Sequence, residues 1–352
     1  MHRLADSNAF GLRSVVALAF AVAVGSAAVS TGARAQAKSA VVDPVAQAGD
    51  VRAWLMRIHD AASHRNFQGT FMVTGGGTVS SARIAHFCEG PNQYERTESL
   101  DGPARHVFRH NDLVHTLWPA RHVALVERRT LFGSFPALLQ SGDDRIVDFY
   151  DVHHESAQRM AGHEANVLLL KPRDGYRYGY RLWADQATGL LLRADVLGDR
   201  NEVLETSAFS DVTIGVKPQP ESVLQPMHRL AGYRVLRPDM TPTRLEAQGW
   251  SLRQSAPGFR QVSCVRRGLG GPGPAEGAER QALQVIYSDG LTYVSVFIEP
   301  WDARRQAGQL VASVGPTQTL MLQHGDWRVT VVGDVPQATL RLFAMGLEHS
   351  PK

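Results

Sequence analysis

An α+β protein dominated by antiparallel sheet is the architecture this sequence predicts. A large first domain curls toward a barrel or half-barrel, and a smaller α+β domain follows. Three observations carry that expectation. Short runs alternating apolar and polar residues recur at roughly ten-residue spacing, punctuated by Gly, Pro, Asn and Asp, as antiparallel strands and their turns do. Helical periodicity is clearest near each end of the mature chain. A Pro-rich, apolar-poor stretch at 215–227 divides the two halves.

The chain has 352 residues, room for about two domains. With 43% hydrophobic and 20% charged residues it can bury a sizeable core, which excludes wholesale disorder. Residues 1–35 read as a secretory signal. Arg3 and Arg13 precede the apolar run Val15–Val29, and Ala33-Arg34-Ala35 places small residues before cleavage at Gln36. The run is shorter than the ~20 residues a spanning helix needs, so an uncleaved anchor is the weaker reading. The mature protein is expected to be soluble and exported. Removing Arg3, Arg13, Arg34 and Asp6 leaves 34 Lys+Arg against 33 Asp+Glu, a net charge of +1. A nucleic-acid binder would keep a strong basic excess, so that class is excluded. Residues 36–214 hold 19 basic and 22 acidic groups, whereas 228–352 hold 14 and 10. Either the arginines simply solvate a surface, or the second half meets an acidic partner. Arg229, Arg234, Arg237, Arg253, Arg260, Arg266 and Arg267 are the partner-binding candidates, because a guanidinium suits forked contacts with carboxylates.

In chain order, Asp50 is expected to cap a helix whose stripe is Val51, Trp54, Leu55, Ile58 and Ala62. Strands follow at Phe67–Val73, Ala82–Cys88, Asn92–Ser99, His106–Arg109, Leu113–Trp118 and His122–Val126. Residues 128–144 contain Leu131, Phe132, Phe135, Leu138 and Leu139, read as a buried short helix in preference to a lid. Strands resume at Phe149–Val152 and Ala165–Leu170. They lead into Lys171–Val212, three strands around which the chain is organised. There Tyr176, Tyr178, Tyr180, Leu182 and Ala184 are expected on one face, opposite Arg177, Gly179, Arg181 and Trp183. After the 215–227 linker, residues 249–262 read as strand and 268–277 as an exposed Gly/Pro loop. Hairpins follow around Ser288-Asp289-Gly290 and His324-Gly325-Asp326. The last helix is expected to be capped by Asp334, with Leu340, Phe343, Ala344 and Leu347 as its buried stripe.

Catalytic and metal chemistry find no support. Of the fourteen histidines, His106, His110, His115 and His122 are close in sequence but fall on a strand-like region, where His106 and His110 would stand ~13 Å apart. Gly133-Ser134-Phe135 lacks a nucleophile-elbow context, and the 268–277 run has no following Lys and Ser/Thr. The adjacent acids Asp143 and Asp144 do not by themselves make an acid/base pair. No enzyme activity, metal or cofactor is therefore expected. Cys88 and Cys264 fall in different halves, either bridged or, by default, separate buried thiols. A curved sheet with aromatic inner positions suits an acyl chain or apolar peptide. Tyr176, Tyr178, Tyr180 and Leu182, with Phe132, Phe135, Leu138 and Leu139, are the cavity candidates, plain core packing being the alternative for the tyrosines. Exposed strand edges offer a second way to bind an extended segment.

Several motifs stand in register with a known family. Arg173-Asp174-Gly175, Arg177-Tyr178, Trp183-x-Asp185 and Val203-Leu204-Glu205 resemble the RseB/MucB family of periplasmic sigma-E regulators, as do Ile286–Gly290 and Val331–Pro336. The resemblance implies a LolA/LolB-like N-terminal domain at 36–214 and a MucB/RseB-type C-terminal domain at 228–352. It implies binding to the periplasmic domain of a membrane-bound anti-sigma factor, shielding it from site-1 cleavage by a DegS-type protease. It also implies release by lipid or lipopolysaccharide signals, and self-association as a homodimer. The alternative is a lipid or lipoprotein carrier of the LolA/LolB type.

Overall fold

The computed structural model describes residues 48–129, 135–137, 145–268, 281–302 and 309–350. The signal segment, Phe132, Leu138, Leu139 and nearly all of the 268–277 loop lie outside the described residues.

Helix α1 (Ala48–His64) begins two residues before the expected cap, which places Asp50 inside its first turn, where a carboxylate complements the helix dipole. Its stripe Val51, Leu55, Ile58 and Ala61–Ala62 is buried as the spacing requires. Strands β1 (Phe67–Gly75), β2 (Thr78–Glu89), β3 (Asn92–Ser99), β4 (His106–His110), β5 (Leu113–Trp118) and β6 (Val123–Arg128) follow as a meander. A four-residue helix, α2 (Ile146–Phe149), leads into β7 (Tyr150–Met160), β8 (His163–Pro172), β9 (Gly179–Asp185), β10 (Leu191–Leu197) and β11 (Val203–Ile214). β11 returns to pair with β1, joining both meanders in one open sheet.

The 215–227 stretch is not an extended linker. It contains α3 (Glu221–His228), whose Val223 and Met227 lie one turn apart and pack on Phe87, Tyr94 and Phe108. Of its prolines, Pro220 stands at the N-cap, before the first turn, and Pro226 lies inside the helix. A short strand, β12 (Arg234–Leu236), then pairs parallel to β6. The twelve-stranded sheet thus runs β12-β6-β5-β4-β3-β2-β1-β11-β10-β9-β8-β7, and the chain leaves it only after Leu236. The sheet is open rather than a closed barrel.

The second sheet has seven strands: β13 (Met240–Pro242), β15 (Arg260–Gly268), β16 (Gln281–Ser288), β17 (Tyr293–Pro300), β18 (Leu310–Val314), β19 (Thr317–His324) and β20 (Trp327–Gly333). Its order is β13-β15-β16-β17-β20-β19-β18. The expected strand over 249–262 is divided. β14 (Trp250–Leu252) pairs with β21 (Leu347–His349) in a separate ribbon, and a turn carrying buried Ala256 and Phe259 precedes β15. Helix α4 (Gln337–Gly346) lays Leu340, Phe343 and Ala344 on Val285, Val296 and Val331. Each fully buried Leu, Phe or Val side chain here stabilises the fold by about 1.5–3 kcal/mol. Asp334 does not cap α4. Pro336 occupies that position, and the Asp334 carboxylate instead accepts the Thr317 hydroxyl at 2.6 Å.

Cys88 and Cys264 are both free thiols, in different sheets. Cys88 donates to the Ser63 carbonyl at 3.0 Å, and burial raises the pKa of both thiols.

Candidate binding site at the domain seam

The residues joining the two sheets come largely from the segment between β8 and β9. Here the expected strand beginning at Tyr176 is corrected, since β9 starts at Gly179. Asp174 Oδ1 accepts the Tyr176 N–H and the Arg177 Nε–H, each at 3.0 Å, folding residues 174–177 into a side-chain-closed turn. That turn delivers the Arg177 guanidinium into the seam. Nη1 donates to Asp289 Oδ2 at 2.8 Å, and both side chains are 0% exposed. Nη2 donates to the Pro257 carbonyl. The cation lies over Phe149 (4.5 Å), Phe259 (5.3 Å) and Tyr150 (5.7 Å), so rings from both domains surround it.

Asp289 is equally well satisfied. Its Oδ1 accepts the N–H groups of Leu291 (3.0 Å) and Thr292 (2.9 Å). Its Oδ2 also accepts the Tyr150 hydroxyl at 3.4 Å. Burial is the main reason that the Tyr150 phenol is held well above its ordinary pKa, with the Asp289 charge adding to it. Arg145 Nη1 closes the rim on the Gly258 carbonyl at 3.0 Å. Gly258 sits at φ +83°, and a Cβ there would fall 2.4 Å from the Phe149 ring, so this close approach requires glycine.

The tyrosine row lies along the same seam. Tyr176 packs against the second domain's core, and its carbonyl accepts the Thr339 hydroxyl at 2.7 Å. Tyr178 is paired with the Gln318 side chain and Tyr180 with Thr292; both phenols are raised first by burial. Leu182 is buried in the first core, together with Leu291 from the second domain. Phe135 joins that core against Phe71 (5.8 Å) and Phe209 (5.1 Å). β9 is buried on both faces except at Arg181, which corrects the half-buried alternation. Its outward Trp183 is covered by Arg193 at 4.5 Å and donates to Gln158.

Two half-buried acids meet at the far end of the seam. Glu205 on β11 is pushed up to about 7, by burial first and then by the Asp334 charge. Asp334 is raised by its own burial, with the Thr317 hydrogen bond acting against the shift. Beside them the β1–β2 and β18–β19 turns touch: a Cβ on Gly76 would lie 2.8 Å from the Gly315 nitrogen.

The candidate arginines fall in separate places. Arg229, Arg234 and Arg237 are exposed at the end of α3 and around β12. Arg253 pairs with Glu348 at 2.5 Å. Arg260 and Arg266 are exposed on β15, and Arg266 donates to Gln281. Arg267 belongs to the seam, 3.5 Å from the buried Glu127 of β6. An open groove of about 630 Å³ between α1 and the β9–β10 turn is lined by Arg57, Asp60, His64 and Thr188, away from the tyrosines. Among the described residues no cluster of three or more His, Cys, Asp or Glu is placed to hold a metal.

Fold and seam together define a class: a two-domain β-rich binding protein whose open sheets are locked by a buried ion pair. The family follows from comparison with known proteins. Residues 50–227 match the MucB/RseB N-terminal domain model and 244–348 the MucB/RseB C-terminal domain model. The chain therefore belongs to the MucB/RseB family. It is 29% identical over 325 residues to the sigma factor AlgU regulatory protein MucB of Pseudomonas aeruginosa, covering 86% of this chain and 92% of that protein. It is 23% identical over 298 residues to the sigma-E factor regulatory protein RseB of Escherichia coli K12, covering 84% and 90%. Its fold is similar to MucB in complex with MucA(peri), with 27% identity, a TM-score of 0.63, and coverage of 87% of this chain and 100% of that one. The Pseudomonas aeruginosa MucA/MucB complex gives 27% identity, a TM-score of 0.65, and coverage of 86% and 100%.

Proposed function

We propose that this protein binds the periplasmic domain of a membrane-bound anti-sigma factor and so restrains a sigma-E-type envelope-stress response. The observation that carries the reading is full-length similarity, across both domains, to MucB as it occurs with MucA(peri). The signal-like first 35 residues support a periplasmic location. Bound in this way, the protein shields the anti-sigma factor from site-1 proteolysis. Lipid or lipopolysaccharide is the releasing signal.

The tyrosine row supports this reading over a plain lipid carrier. Tyr176, Tyr178 and Tyr180 are engaged by the second domain, so an acyl chain entering there has to part the domains. Ligand capture and domain rearrangement then become one event, as release of a partner needs. The test is titration of the mature protein with the purified periplasmic domain of the host's own anti-sigma factor, followed by a site-1 protease assay on the complex. Saturable binding and slowed cleavage are expected. No binding across salt concentrations would sink the proposal.

A further inference from the structure

We propose that the free edge of β18 is a strand-addition site for an extended, apolar segment of the anti-sigma factor's periplasmic domain, an inference that rests on the regulatory reading above. Among the described residues, the two large sheets end in four edges with no further strand paired on them: β12, β7, β13 and β18. Unpaired edges invite pairing with other chains, and proteins normally blunt them by shortness, charge, proline or bulges. β12 has three residues, begins with exposed Arg234 and is followed by exposed Arg237. β13 has three residues and ends in Pro242. β7 carries His153, His154, Glu155 and Arg159, and its register shifts between Glu155 and Gln158.

β18 has none of these devices. Its sequence is Leu-Val-Ala-Ser-Val, paired with β19 without a register shift, and all five residues are exposed. Leu310, Val311 and Val314 are each more than 40% exposed. Val314 and Thr317 flank the two-residue turn Gly315-Pro316, so they form the hydrogen-bonded pair next to it. By alternation Leu310, Ala312 and Val314 bond inward to β19. Val311 and Ser313 therefore turn their N–H and C=O groups to the open side.

The occupant follows from position and size. The β18–β19 turn abuts Gly76 of the first domain and lies beside Glu205, so a strand laid along β18 is aimed at the seam. An extended segment can continue from β18 onto the first domain and hold both domains at once. A second copy pairing five residues against five would bury far less than the ~1,200 Å² at the low end of specific, stable interfaces. The edge carries no charge and three large apolar side chains, so the complementary segment is apolar and β-branched, bound through its main chain.

Ser313→Pro removes one outward N–H while leaving the β18–β19 ladder intact, and Ser313→Ala is its control. With the purified periplasmic domain of the host's own anti-sigma factor as probe, Ser313→Pro is expected to weaken binding about tenfold or more, with Ser313→Ala close to wild type. Residue-resolved hydrogen exchange on the wild-type protein should show the Val311 and Ser313 amides fast when free and protected in the complex. This second measurement decides the matter if Ser313→Pro does not fold. Unchanged affinity in Ser313→Pro, or no added protection, overturns the β18 assignment while leaving the regulatory reading in place. Protection without the probe, accompanied by a doubled mass in sedimentation, overturns it in favour of self-pairing. Absence of wild-type binding removes both.

Discussion

Arg177 and Asp289 are 112 positions apart, yet Nη1 and Oδ2 meet at 2.8 Å with neither side chain exposed to solvent. One belongs to the approach to β9 and the other to the β16–β17 loop, so the pair ties the two sheets together. Removing two charges from water is costly. The pair is tolerable because Asp174, the Pro257 carbonyl, Tyr150 and two backbone amides satisfy nearly all that remains.

Arg177→Met is expected to destabilise the protein by about 3–5 kcal/mol, because it leaves Asp289 buried without its cation. Asp289→Asn added to it should recover part of the loss. Urea unfolding of both variants reads the result, and strictly additive losses would mean the two groups do not act as a pair.

Gly258→Ala should cost roughly 1–3 kcal/mol, since it adds a methyl group against Phe149 at a backbone conformation with positive φ. Thermal unfolding checks it. A wild-type melting temperature would show that the turn can move off the Phe149 ring without penalty.

The Glu205–Asp334 pair gives the seam a pH dependence with a definite sign. Glu205 has a folded pKa raised from 4.5 to about 7, so the folded state binds this proton more tightly than the unfolded chain does. Stability from this group is therefore full at low pH and is lost as pH rises from about 4.5 to about 7. Asp334 is shifted in the same direction and contributes with the same sign. Glu205→Gln should flatten the fall in urea midpoint over that window and be more stable than wild type at pH 8. Equal slopes in the two proteins would contradict the assignment.

Tyr178→Asp should destabilise strongly, by about 2–5 kcal/mol, because it buries a carboxylate where Asp199, Asp334 and Glu202 already act on the phenol. Tyr178→Phe removes only the hydroxyl facing Gln318 and should cost about 0.5–1.5 kcal/mol. Lipid binding measured on the Phe variant separates a packing role from a ligand-gripping one. Normal capture with normal stability would leave the hydroxyl without either role.

Charge reversal separates the two neighbouring arginines of β15. Arg266→Glu leaves the seam intact and should weaken anti-sigma binding with a loss that shrinks as salt is raised. Arg267→Glu also sets like charge against buried Glu127, so its loss should persist at high salt. Unchanged low-salt affinity in Arg266→Glu would take that residue out of the interface.

Local pattern determined a good deal here. The stripes of α1 and α4, the meander at 67–128 and the hairpins at 281–300 and 317–333 all follow from spacings of two or three to four residues, which are visible in any short window of sequence. The same windows misread α3, where Val223 and Met227 look apolar-poor among prolines until the β3–β4 surface beneath them is present. They put the tyrosine row on one face of a strand, as cavity lining or core, and set Arg177 on the opposite one. Only the tertiary structure decided that Arg177 turns into a buried seam to meet Asp289, and that Glu205 faces Asp334. Period and turn chemistry are properties of neighbours along the chain, whereas burial and charge pairing depend on which distant segments share a space, and no spacing encodes that.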